Sequence, residues 1–409
     1  MPAGDHRPDR SPRMTLDTDP AGRTAQRRSG FLSGAFDSDV HPNFRNGIRD
    51  LAPYVESTAM RKRMGLLEAP RGSAARVMRG DNVVQVPGAE MRLPGVNYTN
   101  PGGTMRLDAM PPDGGPPGSD PRFVVTDHLD RHDLGGALLI GGSVLGLGGI
   151  PEPEMAAAVA SAHNLWLEDV WCREDPRFRI ALVVAPQDPA LAVAEVHRWG
   201  RNAAVAAVYI PGTDNGMAFG HRHYHPIYEA ALEHGLPVVT HPGGESSGTN
   251  GAMIAVGKPE YYLEFHASIP QVYMRHLISL VVSGVFERFP TLRFGLIEAG
   301  WAWLPHVLWR LDKDWKGLRD ECPWLQRLPS EYVLDHVRFT SQPIYEPPDP
   351  ADLGTIMRLA RADRCVMFSS DYPHWDADAP EMAYRRVPGE IRRSLTHDLP
   401  SEFFRLDPV

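Results

Sequence analysis

Cysteine is scarce: Cys172, Cys322 and Cys365 are the only three in 409 residues, and they form no Cys-x-x-Cys spacing. That excludes a disulfide framework and a thiolate zinc knuckle, and it fits a reducing, cytoplasmic location. No run reaches the roughly 18 consecutive apolar residues of a membrane span, so none is expected. Arg27-Arg28 stands before Phe31-Leu32, but Asp37, Asp39 and His41 follow where an export signal needs an apolar segment. An excess of positive charge is missing too. Lys and Arg number 42 against 51 Asp and Glu, a net charge of −9, which gives nucleic acid or an anionic membrane surface no basis as a partner. A small-molecule role gains by elimination.

What the chain does contain is the composition of a folded protein, 42% hydrophobic and 23% charged. Residues 1–32 are the exception, rich in Arg, Asp, Pro and Ser and predicted to be a disordered tail. Eight apolar or β-branched runs follow, at 34–42, 135–143, 177–186, 203–212, 237–244, 292–300, 337–343 and 365–374. Amphipathic stretches such as PALAVAEVHRWG and DPADLGTIMRLAR separate them. Strands alternating with helices in this number predict one α/β domain over 33–400, a (β/α)8 TIM barrel. One connection is out of proportion. Between the first and second strands the chain wanders from 43 to 134 through Pro- and Gly-rich text, and an excursion of that length is expected to be a lid on the catalytic face.

Reactive side chains of such barrels sit at the C-terminal ends of the strands. The first run ends with Asp39 and His41, which alternation points to one side. The fifth ends with His241, the sixth with Glu298 and the eighth with Asp371. Two imidazoles and three carboxylates on one rim make a ligand set for a divalent metal.

Asp39-Val40-His41, His241 and SSDYPHWD (369–376), together with the text of 284–316 and 329–343, resemble the amidohydrolase-related family. The branch in question includes aminocarboxymuconate-semialdehyde decarboxylase and the resorcylate decarboxylases. The resemblance implies an amidohydrolase-type barrel with metal ligands at Asp39, His41, His241 and Asp371. It also exposes two departures. Glu298 stands where those decarboxylases carry a catalytic histidine, and the fourth run, AAVAAVYIPG, lacks the lysine that dinuclear hydrolases carbamylate.

Beyond the fifth run, Glu264, His266 and His276 fall in KPEYYLEFHASIPQVYMRHLISLV. His266 with Glu298 would complete a second metal site, Glu298 and His276 are the candidate acid–base groups, and Glu264 is a candidate for the surrounding shell or a salt bridge. His374 and Trp375 are placed to orient a ligand or touch substrate. His221, His223 and His225 read as a polar loop before a helix. The apolar stretch LISLVVSGVF is available either to the barrel or to a homo-oligomer contact.

Two functions fit. The first is a non-haem di-iron monooxygenase, because the pattern is similar to the enzymes of platensimycin and platencin (antibiotic, terpenoid) biosynthesis. That resemblance implies two iron ions, O2 and a hydrophobic polycyclic substrate, as the free diterpenoid acid or its CoA thioester. The alternative is a decarboxylase or hydrolase with one zinc or manganese, acting on a small carboxylated substrate, with Glu298 or His276 moving protons.

Overall fold

The computed structural model describes residues 30–67, 105–212, 216–243, 245, 254–257, 259, 261–377 and 379–406. Helix starts are written plainly in the sequence as Asp-Pro pairs. Asp120, Asp188 and Asp349 each accept a hydrogen bond from a backbone N–H of the first turn, while the proline that follows opens the helix at a position whose N–H would have no partner. The principal α-helices are α1 (Pro153–Trp166), α2 (Pro189–Trp199), α3 (His225–Glu233), α4 (Tyr262–Val282), α5 (Leu304–Gly317), α6 (Pro329–His336) and α7 (Pro350–Leu359). None of the described helices is long and apolar enough to cross a membrane.

Each apolar run contains a strand: β1 (Phe36–Val40), β2 (Gly136–Leu139), β3 (Phe178–Val183), β4 (Val205–Pro211), β5 (Val238–His241), β6 (Phe294–Leu296), β7 (Val337–Thr340) and β8 (Val366–Met367). They pair in parallel in chain order. Closure comes from a bridge between Val40 and Tyr372 and from Ser38 N–H to Phe368 O (3.0 Å) and His41 N–H to Tyr372 O (2.8 Å). The expected (β/α)8 architecture is thus present. Its strands are buried almost throughout, which is why they read as continuous apolar runs rather than alternating ones. At the end away from the strand tips, a C-terminal helix (Leu399–Phe404) sets Phe404 against Phe36.

Three expectations shift. Leu32, assigned by composition to the tail, is buried, and Phe31 stacks on Tyr384, so the packed chain starts before residue 33; residues 1–29 lie outside the described part. The excursion is described over 43–67 and 105–134, and its returning limb is not loose. Met105 bridges His374, Arg106 N–H bonds Pro373 O at 2.9 Å, and Leu129 and Leu134 are buried. Finally, Leu277, Leu280, Val281, Val285 and Phe286 of the LISLVVSGVF stretch are buried within their own chain, which leaves little of it for a second subunit.

Gly118 shows how closely the returning limb presses on the strand tips. It has φ +73°, and a Cβ there would lie 2.5 Å from the carbonyl oxygen of His41. Gly118→Ala is expected to cost about 1–3 kcal/mol, since both the backbone conformation and the close approach are lost. Calorimetric melting of the variant checks this; an unchanged melting temperature would contradict the packing described.

Candidate metal centre

Asp39 and His41 lie two residues apart at the tip of β1 and therefore face the same way. His241 is the last residue of β5, Glu298 follows β6 and Asp371 follows β8. The structure brings all five together: one ligand atom from each lies within 4.8 Å of every other, and all five residues are buried. His41 Nε2 is 2.8 Å from Asp371 Oδ1 and 3.3 Å from Asp39 Oδ1; His241 Nε2 is 2.9 Å from Glu298 Oε2 and 3.4 Å from Asp39 Oδ2.

The imidazoles are aimed by the backbone. His41 Nδ1–H donates to Ile140 O at 2.9 Å and His241 Nδ1–H to Pro242 O at 2.6 Å, which presents both Nε2 atoms to the centre. Two of the carboxylates are held in unusual backbone. Glu298 has φ +50° and Asp371 φ +62°, a left-handed conformation that costs a non-glycine residue about 1–3 kcal/mol. Glu298 N–H donates to Thr340 Oγ1 (2.8 Å) and Asp371 N–H to Asp39 O (3.1 Å), and these bonds fix the two bends.

Both oxygens of Asp39, Oδ2 of Asp371 and both Nε2 atoms are buried without a hydrogen-bond partner. Buried polar atoms are almost always satisfied, so a convergent set of unsatisfied lone pairs fits a bound cation. With no sulfur among them, these oxygen and imidazole donors suit manganese, iron or zinc. Packing five titratable groups together in a buried site also shifts their protonation. Burial drives the Asp39 and Asp371 carboxyls upward, and burial drives His41 down to about 3. Burial works against a charged His241 too, but Asp39 and Glu298 outweigh it and raise that imidazole. Burial likewise opposes ionised Glu298, whose carboxyl His241 and His266 nevertheless hold well below its ordinary value.

A second ring of groups surrounds the five. His374 Nδ1 bonds Asp371 Oδ1 at 2.6 Å; burial opposes its charge, yet Asp371 lifts it to about 9. His266 Nε2 lies 3.6 Å from Glu298 Oε1 and 3.5 Å from Asp376 Oδ2, and burial next to Asp371 and Glu298 raises the Asp376 carboxyl to about 7. His266 lies beside the rings of Tyr262 (5.6 Å) and Trp375 (5.7 Å), and Trp375 is half-exposed.

Two residues singled out in the sequence lie elsewhere. His276, expected as an acid–base group, is buried on α4 with its Nδ1 accepting from Phe219 N–H (3.3 Å) and its ring stacked on Phe219; it is outside the five-residue cluster and holds the loop after β4. Glu264 accepts from Tyr261 N–H at 3.1 Å and caps α4. In the His221–His225 loop, His223 bonds Pro186 O. Asp376 escaped sequence reasoning although it closes SSDYPHWD, because only the fold sets it against His266.

The amidohydrolase family model matches residues 37–402. The gamma-resorcylate decarboxylase of Rhodococcus jostii (strain RHA1) is 24% identical over 256 residues, 60% of this chain and 75% of that protein. Among solved structures, an amidohydrolase from Mycobacterium avium subsp. paratuberculosis K-10 superposes with TM-score 0.64 at 20% identity, covering 91% of this chain and 99% of its own. The 5-carboxyvanillate decarboxylase of Novosphingobium aromaticivorans, crystallised with manganese and 3-methoxy-4-hydroxy-5-nitrobenzoic acid, gives 0.60 at 19% identity, covering 91% and 97%. With the family's pattern matched across most of its length and the metal-ligand set gathered at the strand tips, this chain belongs to the amidohydrolase family.

Proposed function

We propose that the protein is a divalent-metal-dependent decarboxylase of small hydroxylated aromatic acids. The observation that carries this is the convergence of five buried donors, four of them bearing unsatisfied lone pairs, beside aromatic side chains. Asp39, His41, His241, Glu298 and Asp371 would hold the cation, which supplies the positive charge that attracts a substrate carboxylate and an adjacent phenolic oxygen. The residues do the rest. Trp375 and Tyr262, both beside His266, offer ring faces to an aromatic substrate. His374, whose Nδ1 is anchored on Asp371, carries a proton at neutral pH and is the group to deliver it to the ring carbon as CO2 departs. Glu298, the departure from the related decarboxylases, keeps His241 oriented. Nearly complete burial of the donors excludes bulk water.

The test is to incubate manganese-loaded protein with a panel of 2-hydroxybenzoates, including 2,6-dihydroxybenzoate, in D2O. Release of CO2 with one deuterium placed on the ring is the expected outcome, and His374→Gln should slow it about 100-fold or more. No turnover of any member would contradict the reading.

A second reading rests on one specific observation. Glu298 Oε1, His266 Nε2 and Asp376 Oδ2 form a further group of donors beside the first, and Asp376 Oδ2 is buried without a hydrogen bond. With His266, Asp376 and Glu298 able to hold a second iron beside the first, the protein would be an O2-dependent monooxygenase of a hydrophobic acid, with the two electrons coming from an external donor. Uptake of two ferrous ions per chain, with O2 consumption in the presence of a reductant, would favour it. One metal per chain and no O2 consumption would exclude it.

A further inference from the structure

Beneath the five donors lies a buried polar group that none of the chemistry above uses. Asp37 is wholly buried. Its Oδ1 accepts from two backbone amides, Asp39 N–H at 3.2 Å and Ser370 N–H at 2.9 Å, and its Oδ2 accepts from His128 Nε2–H at 2.7 Å. Ser370 Oγ is 3.2 Å from the same His128 nitrogen and accepts from Tyr372 N–H at 3.1 Å. The His128 ring stacks on Tyr372, 4.6 Å between centroids at 19°, and the Tyr372 hydroxyl donates to Asp127 Oδ2 at 3.0 Å.

We propose that Asp37 and His128 are positioning residues for the metal centre, a clamp that joins the two strand tips carrying Asp39 and Asp371. One carboxylate oxygen grips the amide of Asp39 itself and the amide immediately before Asp371. Those ligands come from β1 and from the segment after β8, the seam at which the barrel closes, and Asp371 is one of the two donors in left-handed backbone. Loss of Asp37 would leave both buried amides without their acceptor, a cost that lets the bend at Asp371 relax. Metal ligands tolerate errors of only about 0.5 Å, so the relaxation is felt at the cation. His128 belongs to the returning limb of the excursion, so the clamp also ties that limb to the pocket.

The inference rests on the metal-centre reading, and manganese affinity measured by calorimetry on metal-free full-length protein separates the two. Asp37→Ala should raise the Kd for Mn2+ about 10- to 100-fold, the usual effect of losing an outer partner. Asp37→Asn keeps an acceptor for both amides and should recover most of the loss. His128→Phe keeps a ring on Tyr372, drops the bond to Asp37 and should raise Kd by about threefold or more. The control is His336→Phe: His336 is also buried, bonds Leu292 O at 2.8 Å and stacks on Phe286, but sits before β7, at the far end of the barrel. It should lower the melting temperature and leave Kd unchanged. A Kd for Asp37→Ala within about twofold of wild type overturns the clamp. If that variant does not fold, unchanged affinity in His128→Phe overturns it equally, whereas a weakened His128→Phe beside a silent His336→Phe supports it. Wild type that takes up no Mn2+ overturns the metal reading and the clamp together.

Discussion

Asp39→Asn is expected to make the metal-free protein more stable and the metal-binding protein far weaker. Neither oxygen of Asp39 has a hydrogen-bond partner, and burial raises its carboxyl, so the ionised form is held at a cost in the absence of a cation. Asparagine has the same shape, carries no charge and offers an N–H towards His41 Nε2, 3.3 Å from Oδ1. Metal-free stability should rise by about 0.5–2 kcal/mol, typical of relieving an unfavourable functional site. Removing a carboxylate that faces both imidazoles should at the same time raise the Kd for Mn2+ more than about 100-fold, beyond the effect of an outer partner. Melting in chelator and Mn2+ calorimetry on the same sample read the two signs. A variant that loses stability in chelator while keeping its affinity would mean that Asp39 is an ordinary structural carboxylate.

The second large effect is a divergence with pH. In the metal-free protein the Asp376 carboxyl is raised to about 7, by burial first and by Asp371 and Glu298 next. A raised folded-state pKa contributes stability below the unfolded value, and that contribution is lost as pH rises through about 7. His374 behaves alike: burial opposes its charge, Asp371 prevails and sets it at about 9, so its contribution is complete below the ordinary histidine value and vanishes as pH climbs through about 9. Metal-free protein should therefore soften between about pH 6 and pH 9. Cation binding runs the other way, because a proton on Asp39, Asp371 or His241, all three raised, competes with metal for the same atoms: affinity should rise about tenfold per pH unit for each proton displaced. The gap between melting temperatures with Mn2+ and with chelator should widen steadily over that interval. A constant gap would show that the five donors do not exchange protons for a cation.

Much of this was legible in the sequence, and for identifiable reasons. Strands buried on both faces leave apolar runs, Asp-Pro leaves a helix start, and reactive residues of a barrel fall at strand ends, so Asp39, His41, His241, Glu298 and Asp371 could be gathered from the sequence alone. His276 misled because a helix presents several faces and sequence does not say which one meets the pocket; here it faces Phe219. Asp37 had a signal, lying two residues before Asp39 in the same strand, but its partner His128 is 91 residues away inside an excursion without periodicity. Asp376 and His266 likewise meet only through the fold.

Titration of metal-free wild-type protein with Mn2+, with bound and free ion counted by electron paramagnetic resonance, bears most directly on the metal centre. Saturable uptake of at least one ion per chain, abolished in the His41→Ala, His241→Ala double variant while that variant remains folded, is the expected result. Absence of saturable uptake, or uptake that survives the loss of both imidazoles, would contradict a metal centre at these strand tips.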